Sequence, residues 1–131
     1  MPPIDGILET ALYVVDPERS AQFYQTVFGF PVATRVERLI ALAVRPGQVL
    51  LLFKKGASAH MPQVPHDGDG QLHLAFAIRA DELAAWRDWL DQNGVTIEHE
   101  QHWERGGVSL YFRDTDGHLV EVATPGVWSN Y

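Results

Sequence analysis

Apolar and polar positions change period several times along the chain, and each change marks an element. Residues 7–15, ILETALYVV, are rich in strand formers. They alternate, with Leu8, Leu12 and Val14 on one face and Glu9, Ala11 and Tyr13 on the other. Asp16-Pro17 then suits a helix start, the aspartate as N-cap and the proline at the first helical position. Phe23, Tyr24, Val27 and Phe28 recur at helical spacing, and Gly29 ends that helix. Three strand-like pieces follow, at about 31–36, about 38–44 and 48–55, with RPGQ at 45–48 as a turn. Residues 56–70, GASAHMPQVPHDGDG, read as a linker or mobile loop, being polar and rich in Gly and Pro.

The same order then repeats. QLHLAFAIR at 71–79 is a strand, and ADELAAWRDWLDQNG at 80–94 a helix with Asp81 as N-cap and Asn93-Gly94 as its stop. Leu83, Trp86, Trp89 and Leu90 form its apolar stripe. VTIEHE at 95–100 is a strand, and GVSLYFRD and HLVEVATP form a hairpin around DTDG at 114–117. Each half therefore reads β-α-β-β-β. When PGQVLLLFKKG, 46–56, is laid over DGHLVEVATPG, 116–126, Gly47 falls on Gly117, Gly56 on Gly126 and Leu51 on Glu121. The first strands align in the same way and put Glu9 on His73.

Composition narrows the class. A chain of 131 residues with 46% hydrophobic content suits one globular domain, with modules at about 5–56 and 70–126. The absence of cysteine excludes disulfides, Cys-zinc sites and thiol catalysis, and fits a cytoplasmic protein. A net charge of −7 argues against nucleic acid and acidic membranes as partners. No apolar run is long enough to span a membrane, and MPPIDGILET lacks the features of a secretory signal.

The candidate chemistry lies on the less bulky strand faces. Glu9 shares a face with Ala11 and Tyr13, and His73 with Ala75 and Ala77. Glu121 shares one with Leu119 and Ala123, so it is either an ordinary exposed residue or faces a cavity with a partner. If the halves pair by a pseudo-twofold, Glu9, His73 and Glu121 become neighbours. One imidazole and two carboxylates suit a divalent cation and leave positions open for water or substrate.

The stretches LETALYVVDPERSAQFYQTVFGF at 8–30, QLHLAFAI at 71–78 and SLYFRDTDGHLVEVATPG at 109–126 resemble the vicinal oxygen chelate superfamily. That superfamily includes glyoxalase I, the bleomycin and fosfomycin resistance proteins and the extradiol dioxygenases. The resemblance implies an α+β fold of two βαβββ modules forming a cup-shaped mixed sheet, with helices on its outer face. It also implies a homodimer and a divalent metal (Mn, Ni, Zn, Mg or Fe) held by Glu9, His73 and Glu121. The chemistry it implies is that of a metal-dependent enzyme acting on a small oxygenated substrate, a lyase or isomerase first and a dioxygenase second. Glu121 or Glu9 would move a proton. Tyr111 would lie near the substrate, ten residues before Glu121 as in the ring-cleaving enzymes. Trp103 and Arg105, just before Gly106-Gly107, would contact the substrate, the arginine through a carboxylate or phosphate. Two positions depart from the better-known pattern: Glu9 replaces a His or Gln, and Leu51 stands where glyoxalase I has a fourth ligand. The alternative is a metal-independent, bleomycin-resistance-like binding protein.

The remaining chemistry-bearing residues have simpler expectations. His60, His66, His99, His102 and His118 take loop or surface roles, and Asp114 and Asp116 are turn residues. Trp86 and Trp89 are helix-core aromatics, and Trp128 and Tyr131 dock the tail or make a dimer contact.

Overall fold

The structure, a computed structural model, describes residues Met1–Tyr131. Two compact units divide the chain, Met1–Asp69 and Gly70–Tyr131. The first contains strand β1 (Glu9–Val14), helix α1 (Pro17–Phe28), β2 (Val32–Val36), β3 (Leu39–Arg45) and β4 (Gln48–Lys54). The second contains β5 (His73–Ala77), α2 (Leu83–Gln92), β6 (His99–His102), β7 (Val108–Arg113) and β8 (Leu119–Ala123). Each unit is a βαβββ module with a four-stranded mixed sheet, in the orders β1-β4-β3-β2 and β5-β8-β7-β6. The pairs β1–β4 and β5–β8 are parallel and the others antiparallel. No helix is long and apolar enough to cross a membrane.

The repeat read from the sequence holds at the level of register. Glu9 pairs with Val49 and Ala11 with Leu51 in the first module, as His73 pairs with Leu119 and Ala75 with Glu121 in the second. Across the next ladder, Ala41 faces Leu51 as Tyr111 faces Glu121. Gly47 and Gly117 occupy equivalent turns of the two modules, with φ of 76° and 78°, a left-handed conformation that favours glycine.

Strand alternation sends one face of each sheet to the core. Leu12, Val14, Ile40, Leu42, Leu50 and Leu52 are buried in the first module, and α1 lies over β3 and β4. In the second, Leu110, Phe112, Val120 and Val122 are fully buried, as is Leu90 of α2. Each such side chain contributes about 1.5–3 kcal/mol relative to exposure. The cap of α1 forms as the sequence predicts, with Asp16 Oδ1 accepting from the backbone N–H of Glu18 at 3.0 Å and Arg19 at 3.3 Å.

Several expectations are corrected. Asp81 does not cap α2. It lies inside a 3-10 turn, Ala80–Glu82, and pairs with Arg79, while Glu82 accepts the Arg79 N–H at 3.3 Å. Trp89 is exposed rather than core, because it sits about 100° around the helix from the buried Leu90. The sixth strand begins at His99, not Val95, since its ladder with β7 runs only from His99↔Tyr111 to His102↔Val108. Residues 56–69 are not a free linker but are tied to the first module. Lys55 pairs with Asp69 at 2.8 Å, Gly56 N–H donates to Asp67 at 3.1 Å, and His66 Nδ1 meets the Tyr13 hydroxyl at 2.9 Å.

Candidate functional site

One row of side chains crosses the second sheet from edge to edge. Register aligns His99, Tyr111, Glu121 and Ala75 across β6, β7, β8 and β5. The next row on the same face is Gln101, Ser109, Ala123 and Ala77. The three alanines leave space above the sheet, and a cavity of about 530 Å³ opens there. His73, Tyr111 and Glu121 line one part of it, and Trp103, Trp128 and Tyr131 another. The first module's corresponding row carries Leu51 and Ala41 in place of Glu121 and Tyr111. Its larger surface hollow, about 710 Å³ beside Glu37, Arg38, Lys54 and Lys55, has no such set of donors.

Glu121 is only 5% exposed, which resolves the ambiguity in its strand. Its Oε2 lies 3.2 Å from Nε2 of His73, whose side chain is half exposed. The other ring nitrogen of His73, Nδ1, is 3.0 Å from the carbonyl oxygen of Leu119. A carbonyl can only accept, so Nδ1 carries the proton. In the neutral ring, Nε2 then presents a lone pair towards a carboxylate. Two lone pairs at that distance repel unless a proton or a cation lies between them. Ligand bonds of about 2.1 Å meeting at about 90–109° separate their donor atoms by about 3.0–3.4 Å. The pair therefore fits two adjacent positions around a divalent ion. Within the chain, no group of three or more His, Asp or Glu side chains is placed to hold a metal ion.

The turn after β7 fixes this pair from below. Asp114 is buried, and its Oδ1 accepts the backbone N–H of Asp116 and of His118, each at 2.9 Å. His118 is fully buried, not a surface residue, and its Nδ1 accepts the N–H of Leu72 at 2.9 Å. Leu119 N–H donates to Leu72 O at 2.8 Å. Thus both polar backbone groups of the residue before His73 are held. Arg113 closes the same turn, donating to Gly117 O and to Glu98, each at 3.1 Å. Nothing in the local sequence marked His118 for this role.

Tyr111 sits between two imidazoles, its ring centroid 6.2 Å from that of His73 and 6.1 Å from that of His99. Burial holds its phenol above the usual range. The neighbouring Glu121 carboxylate acts in the same direction, and Ser109 in the opposite one. The phenol is thus a proton carrier at neutral pH. Trp103 donates its indole N–H to Ser109 Oγ at 2.9 Å, which turns the ring towards the cavity wall. Arg105 is exposed and outside the cavity lining. Glu9 is exposed at the first position of β1, in the other unit.

A family model described as Glyoxalase/Bleomycin resistance protein/Dioxygenase superfamily matches residues 6–122. The chain belongs to this superfamily. Among members of the glyoxalase/bleomycin resistance/dioxygenase superfamily, it is 27% identical over 122 residues to the metallothiol transferase FosB of Staphylococcus haemolyticus, covering 92% of this chain and 84% of that one. It is 43% identical over 129 residues to FosB of Shouchella clausii, covering 92% and 81%. The crystal structure of a lactoylglutathione lyase from Agrobacterium tumefaciens superposes with a TM-score of 0.91 at 30% identity, covering 98% of this chain and 99% of that one. The α+β fold of paired βαβββ modules is common to this chain and that structural relative.

Proposed function

We propose that the two modules form a single glyoxalase-type domain that works as a divalent-metal-dependent enzyme on a small oxygenated substrate. The observation that carries this reading is the pair itself: His73 Nε2 lies 3.2 Å from the buried Glu121 carboxylate, with the other ring nitrogen engaged by Leu119 O. Glu9 is the third ligand, supplied by the first module. The reading includes a homodimer, as is common among members of the family. The relatives' names, metallothiol transferase and lactoylglutathione lyase, support metal-assisted chemistry on small molecules.

A metal held there would act as a Lewis acid towards two adjacent substrate oxygens and stabilise a developing enolate or oxyanion. The chain's own residues supply the rest. Leu119 O orients the His73 ring. Tyr111 holds a proton and offers it to a substrate oxygen, while Glu121 or Glu9 accepts a proton from substrate carbon or oxygen. Lyase or isomerase chemistry needs only this transfer and stands first. Ring-cleaving oxygenation stands second, supported by the position of Tyr111 beside the pair.

Elemental mass spectrometry of the purified protein tests this proposal. The expected result is close to one divalent ion per chain in the wild type, lost in Glu121→Ala. No metal in either protein, and no thermal shift with Mn²⁺, Ni²⁺ or Zn²⁺, would sink it. That outcome would leave the second reading, a metal-independent binding protein, which is favoured by the largely apolar cavity walls.

A further inference from the structure

A second hollow lies wholly within the first module and shares no residue with the cavity of His73 and Glu121. Its volume is about 710 Å³, and Val36, Glu37, Arg38, Lys54, Lys55 and Ala57 line it. No lysine other than Lys54 and Lys55 occurs in the chain, whose net charge is −7. Consecutive residues on a continuing strand would face opposite sides. Here β4 ends at Lys54 and the chain turns at Gly56, whose φ is 78°, so both lysines reach the same hollow. Arg38 joins them from the turn between β2 and β3, where its carbonyl oxygen accepts the Lys54 N–H at 2.8 Å.

The three cations are held in different ways. Arg38 is half-buried, with its guanidinium carbon 5.7 Å from the centre of the Phe53 ring. Its Nη1 donates to the Oγ of Ser58, a fully buried residue, at 3.3 Å. That leaves Nε and Nη2 to donate elsewhere. Arg38 and Lys54 belong to none of the chain's ion pairs. Lys55 pairs with Asp69 at 2.8 Å, but that carboxylate is 91% exposed, so water competes for it. Glu37 is the one carboxylate on the lining, and the three cations outweigh it by two charges. A guanidinium seated on a ring, with ammonium groups beside it, is a donor set for a compact oxyanion, the fork fixing its orientation.

We propose that this hollow is a binding site for a small phosphate monoester. Arg38 holds the phosphoryl oxygens through its unengaged nitrogens, and Lys54 adds a second charge. Lys55 exchanges the Asp69 carboxylate, the loop's own anion, for the ligand. A phosphoryl group carries close to two negative charges at neutral pH, which matches the excess on the lining. The hollow exceeds what a phosphate alone fills, so the organic part of the ester rests against Val36 and Ala57. The inference stands apart from the metal reading, because no residue of the His73 and Glu121 cavity enters it.

Calorimetric titration of the purified protein with glycerol 3-phosphate, and with acetate and glycerol at matched ionic strength, tests this site. The expected result is saturable binding of the phosphate ester, binding of acetate weaker by about tenfold or more, and none of glycerol. Arg38→Gln and Lys54→Gln should each weaken ester binding by about tenfold or more, the scale of a lost charge-assisted hydrogen bond. Asp69→Asn removes the competing carboxylate and should tighten binding. Arg45→Gln removes the same charge at the opposite end of β3 and should leave the affinity at the wild-type value. Lys54 is exposed, so its variant answers the question even where Arg38→Gln fails to fold. No saturable binding overturns the proposal, as does acetate bound as tightly as the ester. So does an equal loss in Arg45→Gln and Lys54→Gln, which would mean diffuse attraction rather than a site. Loss of binding in Glu121→Ala with Lys54→Gln unaffected would place the anion in the other cavity and also overturn it.

Discussion

His118 and Leu72 are joined by a hydrogen bond of 2.9 Å, from the backbone N–H of one strand start to the buried ring of the residue that opens another. The next residue in each case bears on the site: His73 after Leu72, and Leu119, whose carbonyl orients the His73 ring, after His118. The bond thus sets the relative height of two neighbouring strands where they present His73 and Glu121.

Replacing His118 by alanine leaves the Leu72 N–H buried without its acceptor and opens a void. A loss of about 1–3 kcal/mol is expected for the orphaned donor alone. Urea denaturation measures it. Metal affinity should fall about tenfold in the same variant, since supporting residues of this kind typically cost 10–100-fold.

Glu121→Gln keeps the side-chain volume and removes the charge. Its amide opposite Nε2 is a poor ligand, so divalent-metal affinity should drop by more than about 100-fold. Calorimetric titration with Mn²⁺ reads this directly, and circular dichroism should show an unchanged fold. Retained affinity would mean that Glu121 is no ligand.

Tyr111→Phe should lower kcat by about 100-fold, at the lower end for a lost acid–base group, while leaving Mn²⁺ affinity intact. The same variant has a signature in stability. The folded-state pKa of Tyr111 is raised, so its contribution is fully present below about pH 10 and is lost as pH rises through the folded value. The variant should therefore lose less stability between pH 10 and pH 12 than the wild type, as followed by thermal melts. Tyr131, raised chiefly by burial, supplies a remaining alkaline loss in both proteins.

Arg87 binds both oxygens of Glu100, at 2.7 and 2.9 Å, joining α2 to β6. The Arg87 guanidinium holds the Glu100 carboxyl below its usual range, with His102 adding to the effect. A lowered carboxyl contributes stability above the unfolded pKa of about 4.3, which is lost as pH falls through the folded value. Arg87→Gln should cost about 0.5–1 kcal/mol at pH 7, given the pair's partial exposure, and nothing at pH 2. Acid titration followed by circular dichroism gives the difference.

Much of this arrangement was legible in the sequence because the repeat is written in strand period and in glycines. Gly47 and Gly117, at φ 76° and 78°, occupy turns that side chains resist, so their spacing survives as a signal. Glu121 was legible as an anomaly, a carboxylate among apolar neighbours, but its burial could not be decided until β7 and β5 stood on either side. His118 was not legible, because nothing local distinguishes a solvated turn histidine from one that reaches a strand 46 residues away. Trp89 and Asp81 misled for a common reason. Helical periodicity and capping propensity describe a helix alone, whereas the packing around Leu90 and the Arg79–Asp81 pair decided the outcome.

The shared register of the two modules separates scaffold from chemistry. His73 and Glu121 occupy the places that Glu9 and Leu51 hold in the first module, with Ala75 and Ala11 as equivalent neighbours. The first module is thus a frame of the same gauge with Glu9 and Leu51 at the two equivalent positions, so one register carries a His–Glu pair in one module and a Glu–Leu pair in the other.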